Sequence, residues 1–463
     1  MSENEPKTTR RRFLKNTTTS AAAVTLGLNV ISAPLIGAAR GANEKIRVGF
    51  IGVGNRGSQL LDGFLQQEDM EVAALCDVYE PYLMRDRSKV DKKLLDSLDG
   101  RVPQMGENLG ENVARYKDFR RVLDRKDIDA VVIATPDHWH AIMAIMACQA
   151  GKDVYVEKPL SVTVVEGRKM VEAAKRHNRV VQVGLHRRSS KSYMQAVEDV
   201  QAGKIGKVTV GRAYRISNMY PDGIGKCPDT TPPEGLDWDL WLGPRPNRPY
   251  KDNLVLYKFR WWEAYSSQMG NWGVHYLDAM RWILGQEAPI SISAHGGRYA
   301  IDDDRTIPDT MEVIFELPSG ILLVFGQYEA SDGEALLEGE IELRGTLGNL
   351  HCGSEGSAFK IIPSRGGQFQ DPKPRIEPAE AKKIDGDLTV QHIRNFLDCV
   401  KSRAKTNCDM ETGHRSTCFA LLANIALATK SRIDWDPKTE KIANNKKASQ
   451  LLEYKYRKPW TLG

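Results

Sequence analysis

The feature that most constrains this fold is a short apolar segment that leads directly into a glycine-rich turn. Residues 44–52 read EKIRVGFIG, a run rich in apolar and β-branched side chains, and residues 52–57 read GVGNRG. An amphipathic pattern continues from the turn to about Gln67. A strand, a glycine turn and a helix in this order predict the opening unit of a dinucleotide-binding α/β fold.

The three glycines of this turn have different expected roles. Gly52 allows the tight turn, Gly54 lets the main chain approach a pyrophosphate, and Gly57 lets the helix pack closely on the strand. Asn55 and Arg56 lie between them at the predicted helix N-terminus, where free N–H groups bind phosphate oxygens. We therefore expect these five residues to form the cofactor's phosphate site.

A second predicted strand, residues 71–76, ends at Asp77, twenty residues after Gly57. A carboxylate at this place binds the 2′-hydroxyl of the adenosine ribose and repels a 2′-phosphate. The sequence therefore favours NAD over NADP as the cofactor. NADP stays open as the alternative, because Arg56 could supply positive charge to the extra phosphate.

Strands and helices continue to alternate as far as residue 186, which is typical of a doubly wound parallel sheet. The segment DAVVIAT at 129–135 has the composition of a buried parallel strand. We assign residues 42–186 to a Rossmann-type α/β domain. Its remaining predicted elements are strands at 153–156 and 180–185 and helices at 141–150 and 164–177.

Residues 187–463 contain strands joined by short turns, which predicts a C-terminal α+β domain with a large, mostly antiparallel open sheet. Two late helices, at 391–402 and 414–430, are expected to cover one face of this sheet. The Pro-rich segment 368–383 is predicted to be a surface loop. We also expect homo-oligomers to form through the open sheet. The predicted strands are 207–216, 290–299, a hairpin spanning 311–328 and 339–343.

The first forty residues have the pattern of a twin-arginine export signal. Residues 10–15 read RRRFLK, a mildly apolar run follows at 17–36, and small residues permit cleavage at Ala39-x-Gly41. The alternatives are a membrane anchor or a basic tail, but polar residues and a proline interrupt a run too short to span a bilayer. We assign residues 1–41 to a signal peptide, which implies contact with the twin-arginine machinery and a periplasmic or otherwise exported protein.

The twin-arginine route carries folded proteins, and a cofactor that exists only in the cytoplasm is a reason to fold before export. We therefore expect NAD to be non-dissociating.

Residues 1–40 hold six Lys or Arg against two Glu, so most of the formal charge of +5 lies in the signal. The mature chain has no basic patch for nucleic acid and no apolar run of membrane-spanning length. The seven cysteines are interpreted as core side chains, although an oxidising periplasm would permit a bridge such as Cys399–Cys408.

Glu157-Lys158-Pro159 directly follows the predicted strand at 153–156. Ligands of open α/β sheets bind outside the carboxyl ends of the strands. Lys158, with Glu157 beside it, is therefore expected to face the nicotinamide half of the crevice. The alternative for Lys158 is a surface lysine at a strand end.

These motifs, together with a downstream histidine in WGVHYLD at 272–278, resemble the Gfo/Idh/MocA oxidoreductase family. GFIGVGNRG, TPDHWH and EKP carry the resemblance over nearly the whole mature chain. GLHRRS at 184–189, LDWDLWLGP at 236–244 and GHRS at 413–416 look like its exported members. The resemblance implies hydride exchange between a sugar or cyclitol carbinol and a tightly held nicotinamide cofactor, with Lys158 and His275 beside the reacting hydroxyl.

Lysine and histidine suit this chemistry because a CH–OH carbon that loses a hydride must also lose its hydroxyl proton. An oxidised nicotinamide disfavours the charged form of Lys158 and moves its pKa toward that of a useful base. The alternative for His275 is a core histidine on a helix. Asn271 lies one turn earlier, where many relatives have Asp. An amide can bind a hydroxyl or the ring but cannot stabilise an imidazolium by charge, so the acid–base role shifts toward Lys158.

The loop DHWH at 137–140 raises the alternative of a metal site. Two histidines at i and i+2 lack further ligands at the usual spacing, so we predict no metal. The resemblance places this loop near the nicotinamide. We therefore expect Thr135, Pro136 and His140 to contact the cofactor.

The segment 218–272 is rich in aromatic residues, whose flat faces suit a pyranose. We expect the substrate to contact Trp261 and Arg187, together with Asn271 and His275. The sequence thus predicts an exported NAD-dependent oxidoreductase of sugars, glycosides or cyclitols. Two rivals remain: a glycoside-cleaving enzyme that uses bound NAD transiently, and a non-catalytic sugar-binding protein.

Overall fold

The computed structural model describes residues 45–107, 109, 112–354, 358–381 and 386–462. The predicted signal peptide, residues 1–41, lies outside this part of the chain. None of the helices in the described ranges has the length and hydropathy needed to cross a membrane.

The N-terminal part of the chain folds into six parallel strands: β1 (Ile46–Ile51), β2 (Met70–Cys76), β3 (Ala114–Tyr116), β4 (Ala130–Ile133), β5 (Asp153–Val156) and β6 (Val181–Val183). Their order across the sheet is β3-β2-β1-β4-β5-β6. Alternate side chains enter two separate cores, such as Val132 on one face and Val131 on the other. Both faces are therefore covered, which explains the uninterrupted apolar runs and confirms the predicted doubly wound sheet.

The helices around this sheet are α1 (Asn55–Leu65), α2 (Glu80–Met84), α3 (Lys92–Leu98), α4 (Arg120–Asp124), α5 (His140–Gln149) and α6 (Val164–Arg176). A capping box starts α6. Thr163 accepts the N–H of Glu166, and the Glu166 carboxylate accepts the N–H of Thr163 at 3.0 Å. This reciprocal cap fixes the chain shortly after Lys158.

The C-terminal part contains a ten-stranded sheet in the order β14-β13-β12-β11-β7-β10-β9-β8-β15-β16. The sheet is mostly antiparallel, as predicted, but β7 and β10 pair in parallel. The prediction of a surface loop at 368–383 is wrong for its last part, because residues 379–381 form a short strand that pairs with β13 at the edge of the sheet. The strands are β7 (Val208–Ile216), β8 (Ser291–Gly297), β9 (Thr310–Glu316), β10 (Leu322–Tyr328), β11 (Ile341–Gly345), β12 (Gly348–Cys352), β13 (Phe359–Pro363), β14 (Ala379–Ala381), β15 (Ile433–Asp436) and β16 (Lys441–Ile442).

The helices of this part are α7 (Lys191–Gln201), α8 (Trp238–Leu242), α9 (Val274–Ile283), α10 (Leu388–Ser402), α11 (Met410–Thr429) and α12 (Lys446–Ser449). Helix α11 packs on the large sheet, with Phe419 and Phe315 at 5.3 Å between ring centroids. Helix α10 does not, so the prediction that both late helices cover this sheet is wrong. Its apolar face packs on α1 instead, through Phe396 and Phe64 at 6.4 Å.

All seven cysteines are free, and six of them are buried. The bridge Cys399–Cys408 is not formed; the Cys399 thiol lies 3.5 Å from the main-chain oxygen of Lys405. The cysteines act as small core side chains in this structure.

Candidate active site

A cavity of about 420 Å³ lies outside the carboxyl ends of the parallel strands. Each strand end contributes a polar group: Asp77 follows β2, Thr135 follows β4, and Glu157 and Lys158 follow β5. Helix α9 and its preceding turn close the other side and contribute His275. The cavity thus occupies the place at which open α/β sheets bind ligands.

The turn between β1 and α1 fits a dinucleotide phosphate. Gly52 has φ +83°, a conformation that favours glycine, and a Cβ on Gly57 would lie 1.9 Å from the Gly52 oxygen. No side chain caps α1 at Gly54, and no acidic residue lies in its first turn. The N–H groups of Asn55 and Arg56 therefore belong to a helix end that attracts anions.

Asp77, the residue expected to bind the ribose, lines the cavity. Its carboxylate accepts the main-chain N–H groups of Val53 at 2.8 Å and Tyr79 at 2.9 Å. Burial raises its pKa to about 6, and these two hydrogen bonds limit the rise. A carboxylate positioned this way has acceptor capacity left for a ribose hydroxyl.

Arg56 is paired with Glu157, whose Oε1 lies 2.7 Å from the arginine Nε. Burial works to raise the pKa of Glu157, but the charges of Arg56 and Lys158 outweigh it and the pKa is lowered. The guanidinium is therefore held at the end of β5 rather than beside Asp77. This placement lends no support to the idea that Arg56 receives a 2′-phosphate.

Lys158 and Asn271 meet across the cavity. The lysine Nζ donates to the main-chain oxygen of Asn271 at 2.6 Å and to its Oδ1 at 3.1 Å. Burial lowers the pKa of Lys158 to about 8; Glu157 opposes this shift and Arg260 adds to it. Asn271 lies in a π-helical turn, Met269–Gly273, that leads into α9. Such turns recur at functional sites because they redirect side chains.

His275 lines the cavity one turn beyond Asn271, and His186 faces it. Their ring centroids are 5.5 Å apart. Burial, and after it the positive charge of neighbours, lowers the pKa of both rings well below the usual value. Neither Nδ1 has a hydrogen-bond partner among the described residues. Both rings are neutral at pH 7 and have polar atoms to offer a ligand.

The histidines of the loop at 137–140 are held within the protein. His138 is fully buried against the main-chain oxygen of Trp241. His140 contacts the main-chain oxygens of Pro159 at 2.8 Å and Thr135 at 3.0 Å and does not line the cavity. It therefore holds the two loops together; of the three residues expected at the cofactor, Thr135 and Pro136 line the cavity. Among the described residues, no three His, Cys, Asp or Glu side chains are grouped to hold a metal.

Two expected substrate contacts also lie away from the cavity. Arg187 is buried in an ion pair with Glu340 at 2.5 Å and stacks on Tyr276. The Trp261 indole donates to the Glu329 carboxylate at 3.0 Å. Neither side chain lines the cavity, because each faces a buried charged partner.

Sequence reasoning missed several side chains that do line it. His186 lies three residues beyond the end of β6, the same kind of strand-end signal that pointed to Lys158. Arg215, at the end of β7, and Arg260 carried no comparable pattern. The aromatic segment 218–272, which the sequence singled out for substrate contact, does contribute to the lining, through Trp241, Tyr257, Phe259 and Trp272.

Two family models match most of the chain. The model of the Gfo/Idh/MocA oxidoreductase family, NAD-binding Rossmann fold, matches residues 46–185. The model of that family's C-terminal α/β domain matches residues 191–344 and 353–462.

Curated relatives include an α-N-acetylgalactosaminidase from Shewanella oneidensis and a glycosyl hydrolase family 109 protein from Shewanella putrefaciens. Each is 30% identical over 227 residues, covering 45% of this chain and 46% of the relative. The chain therefore spans about half the length of the curated relatives it matches.

Solved structures of similar fold include a levoglucosan dehydrogenase in complex with NADH and levoglucosan, at 17% identity and TM-score 0.59. That match covers 84% of this chain and 99% of the other. An aldose-aldose oxidoreductase from Caulobacter crescentus complexed with glycerol matches at 16% identity and TM-score 0.56, covering 84% and 100%. At these identities the likeness shows the fold alone.

Proposed function

This chain belongs to the Gfo/Idh/MocA oxidoreductase family, and we propose that it exchanges a hydride between bound NAD and a CH–OH group of a sugar, glycoside or cyclitol. The observation that carries the proposal is the Lys158 amine, held in the cavity by Asn271 with a pKa of about 8. A base of this pKa is half neutral at about pH 8, so a useful fraction of it is neutral near physiological pH. Two structures of similar fold support this substrate class: a levoglucosan dehydrogenase that holds levoglucosan, and an aldose-aldose oxidoreductase.

Three side chains would share the work at the reacting hydroxyl. The oxidised nicotinamide, when bound, supplies the hydride acceptor. The neutral amine of Lys158 takes the hydroxyl proton, so one hydride and one proton leave the substrate together. Neutral His275 and the amide of Asn271 hold the hydroxyl and its neighbours by hydrogen bonds.

We further propose that the cofactor is NAD rather than NADP, and that it does not dissociate. Asp77 supports the first part because a carboxylate repels a 2′-phosphate. The pattern of residues 1–41 supports the second, since an enzyme exported to the periplasm would have no nicotinamide pool from which to reload.

Glycoside cleavage is a second candidate function, favoured by the α-N-acetylgalactosaminidase and glycosyl hydrolase relatives. In this version the sugar is oxidised, loses its aglycone by elimination, gains water and receives the hydride back. The net reaction is hydrolysis, and the same base at Lys158 serves it.

A glycoside panel separates these functions. Purified protein is incubated with free sugars, cyclitols and p-nitrophenyl glycosides, including the α-N-acetylgalactosaminide, and products are identified by mass. Keto sugar with reduced cofactor supports the oxidoreductase, whereas free aglycone without net reduction supports cleavage. If neither product forms in the wild type, and Lys158→Ala binds the same sugars equally well, the protein only binds sugar.

A further inference from the structure

Three arginines that line the cavity, Arg101, Arg215 and Arg260, form no ion pair with a carboxylate in the described ranges of the chain, and two of them, Arg215 and Arg260, belong to its C-terminal part. Arg215 stacks on Trp272, with its guanidinium carbon 4.1 Å from the ring centroid. Its Nε is buried without a hydrogen-bond partner. Arg260 donates to the main-chain oxygen of Tyr257 at 3.0 Å and stacks on the same ring at 4.2 Å. Both guanidinium groups keep donors for a ligand.

The carboxylates that share this half of the cavity have partners of their own. Glu157 is paired with Arg56 at 2.7 Å. Asp137 accepts the hydroxyl of Ser266, and burial raises its pKa, so burial weakens its negative charge. Lys158 adds another cation when it is protonated. The lining of this half of the cavity therefore carries more positive than negative charge.

The two arginines lie on the substrate side rather than the phosphate side. Arg215 and Arg260 belong to the C-terminal part of the chain, whereas the dinucleotide phosphates are expected at the turn between β1 and α1. Trp272, under Arg215, is the residue after Asn271. Arg260 is close enough to Lys158 for its charge to contribute to lowering the lysine pKa.

We propose that the substrate is an anionic sugar, such as a uronic acid or its glycoside, whose acidic group is bound by Arg215 and Arg260 while a ring hydroxyl lies at Lys158. The inference rests on the proposed function and names its substrate class. A guanidinium presents two parallel N–H groups to a carboxylate. An anion here would neutralise charges that the protein leaves without a counter-ion. A sulfate ester offers the same charge with tetrahedral geometry.

The test compares sugars that differ only in this group: methyl β-D-glucopyranoside, its 6-sulfate and methyl β-D-glucopyranosiduronic acid, with the galacto series in parallel. We expect kcat/KM for the uronoside to exceed that for the neutral glycoside by about ten- to hundredfold, the size of one or two charge-assisted hydrogen bonds. A larger rate with the 6-sulfate would identify a sulfated sugar as the substrate and keep the anionic class.

Variants assign the preference to the two arginines. Arg215→Gln should lower kcat/KM for the anionic sugars by about tenfold or more and change that for neutral sugars by less than about twofold. Arg260→Gln should lower the ratio of kcat/KM for anionic over neutral sugars by about tenfold. The ratio is the readout for Arg260, because loss of its charge also raises the pKa of Lys158 and slows both kinds of sugar near neutral pH. Arg248→Gln is the matched control. Arg248 also stacks on a tryptophan, Trp262 at 4.4 Å, with a buried Nε lacking a partner, but it does not line the cavity.

The outcomes separate this inference from the proposed function. Neutral sugars that react as well as anionic ones would overturn the inference and leave the function standing. If no sugar reacts, the proposed function is wrong. The affinities for the same anionic and neutral sugars, measured by calorimetry, would still test the preference for an anion. Loss of bound cofactor in the two variants, without a change in sugar preference, would assign the arginines to the dinucleotide and overturn the inference.

Discussion

The amine of Lys158 is held between two oxygens of a single residue, the main-chain oxygen of Asn271 at 2.6 Å and its Oδ1 at 3.1 Å. Neutral oxygens orient the amine without the charge that would hold it protonated. A carboxylate at position 271 would stabilise the ammonium form far more strongly. The amide thus lets burial lower the lysine pKa to about 8, which makes a base available near neutral pH.

Removal of this amine should abolish most of the proton transfer. We expect Lys158→Ala to lower single-turnover reduction of bound cofactor by ~10²- to 10⁴-fold, the usual contribution of a general base. In the wild type the rate of oxidation should rise with pH through about 8, because only the neutral amine accepts a proton. Stopped-flow absorbance of the reduced nicotinamide across pH 6–10 measures both.

His275→Ala should cost less, about tenfold, because the ring is already neutral at pH 7 and acts by orienting the hydroxyl. The same single-turnover assay measures it, with bound cofactor and thermal unfolding as checks on integrity. If His275→Ala were as inactive as Lys158→Ala with cofactor and fold intact, the histidine would be the principal base.

Asn271→Asp should move the pH profile upward. A carboxylate within hydrogen-bond distance favours the charged amine and should raise the pKa of Lys158 by roughly 1–3 units. The variant would therefore be slower than the wild type at pH 7 and recover at higher pH. Asn424→Asp, on α11 outside this cavity, is the matched control and should leave the midpoint unchanged. An unshifted midpoint in Asn271→Asp would mean that another group controls the profile.

The parts of this site that the sequence predicted are those fixed by strand ends. Asp77 and Lys158 follow buried strands, and parallel strands bring their carboxyl ends to one edge whatever the loops do. Which of two consecutive side chains faces the cavity is a different matter. The short 3₁₀ turn His186–Ser189 turns His186 inward and Arg187 toward Glu340, and no local pattern distinguishes the two.

The sequence also could not predict the path of a long loop or the element on which a helix packs. The path of the aromatic segment puts Tyr257 at the cavity and Trp261 against Glu329, and that path depends on tertiary contacts. The amphipathic pattern of α10 predicted a buried face but not its partner. A Cβ on Gly63 of α1 would lie 2.7 Å from Ile393 of α10. The packing partner of α10 thus depends on a close fit between two helices that are distant in the sequence.

The bound cofactor should survive purification. Denaturing the native protein is expected to release about one nicotinamide dinucleotide per chain, quantified by chromatography and mass. The matched control is Asp77→Ser, which removes the proposed ribose carboxylate and should reduce occupancy. Wild-type protein that is empty and needs millimolar added NAD would contradict the non-dissociating cofactor.

Asp77 should also set the cofactor preference. In cofactor-free protein, Asp77→Ser should weaken NAD binding and lower the NAD over NADP affinity ratio, because it removes like-charge repulsion of a 2′-phosphate. Titration of both dinucleotides by fluorescence measures the ratio. Asp118→Ser tests a cavity carboxylate that already pairs with Arg120 and should leave it unchanged. A wild-type protein that prefers NADP would show that Asp77 does not bind the 2′-hydroxyl of the adenosine ribose.

The ion pair between Arg56 and Glu157 should contribute measurably to the free energy of unfolding. Glu157 is buried, so Arg56→Ala leaves an unpaired charge and should cost about 3 kcal/mol in cofactor-free protein. The lowered pKa of Glu157 means that this stabilisation is present above its unfolded pKa of about 4.3 and is lost as the pH falls through the folded value.

Adding Glu157→Gln to Arg56→Ala should recover part of the loss, because no unpaired charge remains. Urea unfolding of the single and double variants at pH 7 measures this coupling. Arg120→Ala, which breaks the more exposed pair with Asp118, should cost less than about 1 kcal/mol. An Arg56→Ala protein no less stable than Arg120→Ala would show that Glu157 is solvated rather than held by Arg56.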